Sequence, residues 1–139
     1  MMADDELREW TEGCRDHVDA LAEGWGAGDA VRADTRMLIA PLQAHAASVS
    51  FETDPIEDQR ALHSTLAACL AEHLIRSFGA RWASSAADPG ARVVALGGRE
   101  ADTFELAHRE IVHRPISVVR MFAMGEAALG ATSPAAPGA

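Results

Sequence analysis

The spacing of apolar residues predicts two helices in the first 48 residues. From about Asp4 to Glu23, apolar side chains recur every three or four positions, which is the period of one buried helix face. They are Leu7, Trp10, Cys14, Val18, Leu21 and Trp25. A second helix is expected to begin after an Asp29 cap and to reach about Ala46. Because proline lacks a backbone donor and crowds the preceding turn, Pro41 predicts a kink or break in it.

A third helix has the clearest start in the chain. The run Asp54-Pro55-Ile56-Glu57 combines a capping aspartate, a proline at the first helical position and a glutamate at the third. The apolar stripe that follows is wide, which predicts a central helix. Its members are Leu62, Leu66, Cys69, Leu70, His73, Leu74 and Phe78. Gly79 is expected to end the helix, because glycine adopts the left-handed conformation without strain.

Three short strand patterns and a last helix follow. The strand patterns are Ala80–Ser85, Arg92–Leu96 and Thr103–Glu110, and the last of them alternates apolar and polar positions. No helical pattern separates them, so an antiparallel meander is expected. Pro115 is expected to open the last helix. The predicted fold is therefore α+β, with three N-terminal helices packed with a small three-stranded antiparallel sheet and a C-terminal helix.

The pattern fits a single α+β domain over residues 1–129. A chain of 139 residues is long enough to bury one hydrophobic core. Residues 130–139 are small and uncharged and include proline, which predicts a flexible tail. No apolar stretch approaches the ~20 residues of a bilayer span. The first residues are acidic, so a secretory signal is not expected. We expect a cytoplasmic protein, with Cys14 and Cys69 reduced.

The acidic character of the chain gives the leading functional hypothesis. The formal net charge is −9, which disfavours nucleic-acid binding and favours attraction to a basic protein. We expect a non-enzymatic interaction protein, an accessory or immunity-type domain without a cofactor. Its candidate contact residues are Asp4, Asp5, Glu6, Glu9, Glu12 and Trp25. The alternatives are a solvated acidic face and a tryptophan that anchors the core.

Two Cys–His pairs support an alternative hypothesis. Cys14 and His17 are three residues apart, and Cys69 and His73 are four apart, so each pair can share one helix face. Antiparallel packing of the two helices would gather all four side chains into a tetrahedral zinc site. The alternative is that Cys14 and Cys69 are small buried residues of the core, as free cysteines commonly are. The alternative function is a small-molecule- or metal-binding protein, including an accessory enzyme of a biosynthetic pathway. Its pocket would lie between the third helix and the sheet, near Cys69, His73 and His108.

Other functional classes receive little support. The serines lack the G-x-S-x-G elbow of a common hydrolase nucleophile. The glycines of residues 24–28 follow a helix rather than a strand and lack the Lys-Ser/Thr of a phosphate loop. A third hypothesis is a homodimer that buries an apolar face of the last helix.

The order of several short segments resembles a bacterial family. Leu70-Ala71-Glu72-His73-Leu74 ends a helix that leads into Phe78-Gly79-Ala80-Arg81-Trp82. A turn and strands precede Arg114-Pro115-Ile116-Ser117-Val118-Val119-Arg120, and Gly125-Glu126 follows near the end of that helix. This layout resembles the "domain of unknown function 3806" family over about Trp10 to Leu129. The sequence departs from it at residues 84–87, where the family has a more apolar strand and an acidic turn. The resemblance implies the fold and no activity.

Overall fold

The chain is organised around one long helix and a small sheet at its C-terminal end. The computed structural model describes residues 4–131. Its helices are α1 (Asp4–Gly24), α2 (Gly28–Ala33), α3 (Ile39–Ser48), α4 (Ile56–Phe78), α5 (Thr103–Val112) and α6 (Val118–Ala128), with a 3₁₀ turn at Thr35–Leu38. Its strands are β1 (Arg81–Ser84), β2 (Arg92–Leu96) and β3 (Arg99–Ala101). The predicted α+β class is confirmed, but these residues form six α-helices instead of four.

Helix α4 is the centre of the core, as its wide apolar stripe predicts. Every residue from Thr65 to Leu74 is buried, because α1, α5, α6 and the 3₁₀ turn all pack against this helix. The helix ends at Gly79, whose φ of 77° is left-handed. Its start is shifted by one residue from the prediction. Pro55 occupies the cap position, and the carboxylate of Asp54 accepts a hydrogen bond from the backbone N–H of Ser50 (2.8 Å) in the preceding loop.

The predicted second helix is three separate pieces. Helix α2 begins at Gly28, one residue before the expected Asp29 cap. Asp34 then caps the 3₁₀ turn, because its side chain accepts a hydrogen bond from the backbone N–H of Arg36 (3.0 Å). Pro41 lies in the first turn of α3, where the missing donor breaks no helical hydrogen bond. The prediction of a kink or break at Pro41 is therefore wrong, since α3 runs through this residue and the interruption lies upstream, at Asp34 and the 3₁₀ turn.

The sheet is antiparallel with the order β1-β2-β3, as predicted. Its third strand differs from the expected one. Gly97 and Gly98 have φ values of 57° and 81°, which matches a two-residue hairpin turn with both central residues left-handed. The chain therefore returns at once as β3, and Val94 pairs with Ala101.

The strand prediction for Thr103–Glu110 is wrong, since these residues lie in α5. The side chain of Asp102 caps this helix by accepting a hydrogen bond from the backbone N–H of Glu105 (3.0 Å). Thr103, Ala107 and Glu110 are the buried positions, and their spacing of four and three is helical. The short alternation of apolar and polar residues is a weaker signal than this cap.

Helix α6 begins three residues later than predicted. Ser117 is its cap, and its hydroxyl accepts a hydrogen bond from the backbone N–H of Arg120 (3.1 Å). The Arg114–Pro115 peptide bond upstream is cis. Most of the predicted tail, residues 132–139, lies outside the described residues. Within residues 4–131, no helix combines the length and apolarity that crossing a bilayer requires.

Candidate functional sites

Helix α1 carries all five acidic residues that the sequence predicts as partner contacts. It contains eight carboxylates and two arginines. The side chains of Asp4, Asp5, Glu6, Glu9 and Glu12 are all exposed. Arg8 and Arg15 form only exposed ion pairs with neighbouring aspartates, at 3.9 and 3.3 Å, and such pairs add little stability. The helix therefore presents a strongly negative face to solvent.

An apolar groove runs along one edge of this acidic helix. It has a volume of about 360 Å³ and lies between α1, α4 and α5. Its lining residues are Glu9, Trp10, Gly13, Cys14, His17, Ser64, Ala68 and Phe104. The groove exists because three facing positions are small: Gly13 on α1, and Ser64 and Ala68 on α4. A methyl group added at Gly13 would meet no atom within 4 Å.

One wall of the groove is a cluster of aromatic rings. The ring of Trp10 packs edge-on against Trp82, with centroids 5.4 Å apart and an interplanar angle of 86°. Phe104 lies 6.0 Å from Trp10, and the guanidinium of Arg92 stacks over the Trp10 ring at 4.1 Å. Because these contacts hold the ring from several sides, Trp10 forms a rigid apolar surface.

The structure separates the predicted contact residues into three places. Glu9 lines the groove, and helical spacing puts Glu6 on the same edge of α1. Asp4 and Glu12 border a different depression, between α1 and β1. Trp25 is half-buried beyond the end of α1, with its ring 5.9 Å from that of His45. At ~1.5 Å per helical residue, Trp25 is roughly 20 Å from Glu12, so it does not extend the acidic face.

The four residues of the predicted zinc site do not form a metal centre. Among residues 4–131, no group of three or more His, Cys, Asp or Glu side chains is arranged to hold a metal ion. Burial raises the pKa of the Cys14 thiol to about 11 and that of the Cys69 thiol to about 12. Zinc binds the thiolate, so protonated thiols oppose its binding. His17 is exposed on α1, and His73 is engaged elsewhere.

His73 is the centre of a buried polar cluster on the other side of α4. Its ring is fully buried and stacks on Phe122 of α6, with centroids 4.6 Å apart. Nε2 lies 2.7 Å from the Glu126 carboxylate, and Nδ1 lies 2.8 Å from the Thr35 hydroxyl. The Ser77 hydroxyl is 2.8 Å from that of Thr35 and 3.3 Å from Nδ1. These bonds join α4, α6 and the 3₁₀ turn.

The direction of each hydrogen bond in this cluster follows from the groups available. Burial lowers the pKa of His73, although the hydrogen bond to Glu126 opposes this shift, so the neutral ring has a single N–H. The carboxylate of Glu126 can only accept, so the proton belongs on Nε2 and Nδ1 accepts. The Thr35 hydroxyl is nearer to Nδ1 (2.8 Å) than the Ser77 hydroxyl is (3.3 Å), so Thr35 donates to Nδ1 and Ser77 donates to Thr35. The chain of donors ends with a Ser77 oxygen that can still accept.

A polar cleft of about 480 Å³ lies over the hydroxyl end of the cluster. Its lining residues are Val31, Arg32, Ala33, Asp34, Thr35, Arg36, Arg76 and Ser77.

The pocket expected between the third helix and the sheet is not formed by Cys69, His73 and His108. His73 faces α6 and the 3₁₀ turn, Cys69 is buried in the core, and His108 is exposed on α5.

A buried carboxylate joins α5 to α6. Glu110 is buried and holds Arg120 through two hydrogen bonds of 2.7 and 2.9 Å, and it accepts a third from the backbone N–H of Ser117. The Arg120 side chain lowers the pKa of Glu110, so this carboxylate secures α5 to α6.

On α6, Val119 and Met124 are exposed, and they are the apolar surface available to the predicted homodimer.

No protein-family model, curated protein or solved structure matches this chain significantly. The resemblance to the "domain of unknown function 3806" family and the cytoplasmic location therefore stay predictions. Two of the segments that carry the resemblance do contact each other. His73 is bonded to Glu126, and a methyl group added at Gly125 would lie only 2.8 Å from Leu70.

Proposed function

We propose that the protein is a non-enzymatic interaction domain, of the accessory or immunity type, that binds a basic protein through α1 and its adjoining groove. One observation carries the proposal: an apolar groove lies against a helix that has eight carboxylates. Stable protein interfaces commonly combine a central apolar anchor with a polar rim. The groove supplies a place for the anchor, and Glu9, with Glu6 on the same edge of α1, supplies the acidic part of the rim.

The groove indicates what the partner must present. An apolar side chain can pack against the Trp10 and Phe104 rings, which are 6.0 Å apart at their centroids. Lysine or arginine residues beside it would face Glu9 and, one turn earlier, Glu6. The acidic face accelerates encounter with such a segment, whereas the buried side chain determines how slowly it leaves.

The test uses a substitution that adds bulk to the groove at a position where an added Cβ has open space. Gly13→Leu introduces a side chain at a groove-lining position where a methyl group meets nothing. The wild-type protein, coupled to a resin, is used to capture partners from its native host, and a captured basic protein is then purified for binding measurements. We expect Gly13→Leu to weaken its binding by at least about tenfold, a loss of about 1.4 kcal/mol.

Gly24→Leu is the matched control. Gly24 ends the same helix, lies outside the groove, and also has open space around an added methyl group. It should bind as the wild type does. Replacing Glu6 and Glu9 by glutamine should slow association at low salt and have little effect at about 1 M salt, where screening acts over ~3 Å. Partner binding that is insensitive to both salt and Gly13→Leu contradicts the proposal, as does capture of nothing.

A further inference from the structure

The cleft over the His73 cluster is lined mainly by polar residues. Six of its eight lining residues are polar or charged, and only Val31 and Ala33 are apolar. The volume of about 480 Å³ falls within the roughly 300–1,000 Å³ of small-molecule sites. It lies away from the α1–α4–α5 groove and shares no lining residue with it.

Three arginines line the cleft. Arg32 is paired with Glu23 and Asp29. Arg36 and Arg76 supply donors for an anionic group. A guanidinium has five N–H donors in a planar fork that matches a carboxylate. Arg76 contacts Glu72 through Nε and Asp19 through Nη2, both at 2.9 Å. Arg36 contacts Glu126 through Nη2 at 3.4 Å. Arg76 Nη2 also contacts Glu72 at 2.9 Å. A ligand carboxylate would therefore bind the Nη1 groups of the two guanidiniums, which these ion pairs do not use.

The same cleft also contains acceptors that an anion alone cannot satisfy. Because the donor chain runs inward from Ser77 through Thr35 to His73, the Ser77 oxygen is left as an acceptor. Asp34 adds a carboxylate, of which Oδ1 already accepts a hydrogen bond from the backbone N–H of Arg36. A ligand that fits both sets of groups needs a carboxylate at one end and a hydrogen-bond donor at the other.

We propose that this cleft binds a small carboxylate that also carries an ammonium or hydroxyl group, as amino acids and hydroxy acids do. The ligand carboxylate contacts Arg36 and Arg76. Its ammonium or hydroxyl group donates to Ser77 and Asp34. The buried His73–Glu126 pair acts as a positioning device, since it fixes the Thr35 proton and thereby the direction in which Ser77 donates.

The test is a titration of ¹⁵N-labelled protein followed by amide NMR shifts. The probes are L-alanine, L-lactate, propionate, propylamine and inorganic phosphate, each raised to about 10 mM at constant pH and ionic strength, which detects a Kd near ~1 mM. We expect saturable shifts at residues 34–36 and 76–77 with alanine or lactate. Propionate and propylamine, which each lack one of the two groups, should bind at least about tenfold more weakly.

Two variants locate the binding. Ser77→Ala removes the cleft acceptor and should weaken alanine or lactate binding roughly tenfold, whereas Ser64→Ala, an exposed serine on the same helix, should leave it unchanged. Gly13→Leu should also leave it unchanged, which separates this site from the partner groove. Equal binding of phosphate or propionate would show a simple anion site and overturn the proposal. Shifts confined to other residues, or no saturable shift with any probe, would overturn it as well.

Discussion

Helix α4 is packed differently near Ser64 and near Ser77. Near Ser64 and Ala68, small side chains leave open space against α1 and α5. Near His73 and Ser77, polar side chains pack towards α6 and the 3₁₀ turn and bond to one another beneath the polar cleft. Atoms can be added at the first end with little strain. At the second end, removing one group leaves others buried without a partner, which is costly.

The largest expected effect is at the polar end. His73→Leu replaces the imidazole by an apolar side chain of similar size and leaves Thr35 and Glu126 without their imidazole partner. Because Glu126 retains Arg36 at 3.4 Å, we expect a loss of about 3 kcal/mol, near the low end for breaking a buried pair. Urea unfolding measures it. His108→Leu, at an exposed position on α5, is the control and should change stability by less than about 0.5 kcal/mol. A loss for His73→Leu under about 1 kcal/mol would show that the cluster is nearly neutral for stability.

Acidification should weaken the same end of the helix. Burial lowers the pKa of His73 below its ordinary value of 6.5. As the pH falls through 6.5, the unfolded chain takes up a proton that the folded protein does not. The free energy of unfolding should therefore decrease between pH 6.5 and the lower folded pKa, by at most about 1.4 kcal/mol per pH unit.

A neighbouring group acts in the opposite direction and offers a way to isolate this effect. Burial raises the pKa of Glu72 above 4.5, so the folded protein binds that proton first and falling pH favours folding. In Glu72→Gln this compensation is absent, and the loss of stability below pH 6.5 should be steeper than in the wild type. Urea unfolding at several pH values tests both slopes. A flat profile in Glu72→Gln between pH 6.5 and 5 would contradict the assignment to His73.

Gly125 is closely packed, in contrast to Gly13. Gly125 of α6 lies against α4, and an added methyl group would be 2.8 Å from Leu70 Cδ1 and 3.3 Å from Leu74 Cδ1. Both leucines are fully buried, so they have little room to move. Overpacking costs about 1–3 kcal/mol and the gain in helix propensity offsets up to ~1. Gly125→Ala should thus lower stability by about 1 kcal/mol, measured by thermal and urea unfolding.

The smallest expected effect has the reverse sign and lies at the open end. Gly13→Ala adds a methyl group that meets nothing within 4 Å, in the middle of a 21-residue helix. It should raise the free energy of unfolding by about 0.5–1 kcal/mol, because alanine loses less backbone entropy on helix formation. The same unfolding experiments apply. If Gly13→Ala and Gly125→Ala changed stability equally, the distinction between the two ends of α4 would be wrong.

Local signals predicted the parts of the fold that local geometry decides. The period of apolar residues gave α1 and α4, and Gly79 gave the end of α4. The sequence also contains a signal that residues 103–110 form a helix. Asp102 followed three residues later by Glu105 is a helix-start pattern, and the Gly97-Gly98 hairpin leaves room only for β3 before it. The cap and the spacing of the buried positions outweigh the apolar–polar alternation of residues 103–110.

Part of the polar cluster was also readable. His73 falls in the middle of an apolar stripe, and a buried polar side chain requires partners. Its partners were not predictable, because Thr35 is 38 residues away and Glu126 is 53 residues away. The zinc hypothesis relied on Cys–His spacing within single helices. Spacing shows which residues share a face of one helix, but not which way that face turns in the fold.

The sequence alone determined the helix faces, the tight turns and the strongly negative charge of α1, since these depend on residues within a few positions of one another. Tertiary structure decided that α4 has an apolar groove on one side and a hydrogen-bonded polar cluster beneath a cleft on the other. Those properties arise from which helices meet α4 and at what distance. Such contacts join residues far apart in the chain, where packing of the whole core sets the outcome.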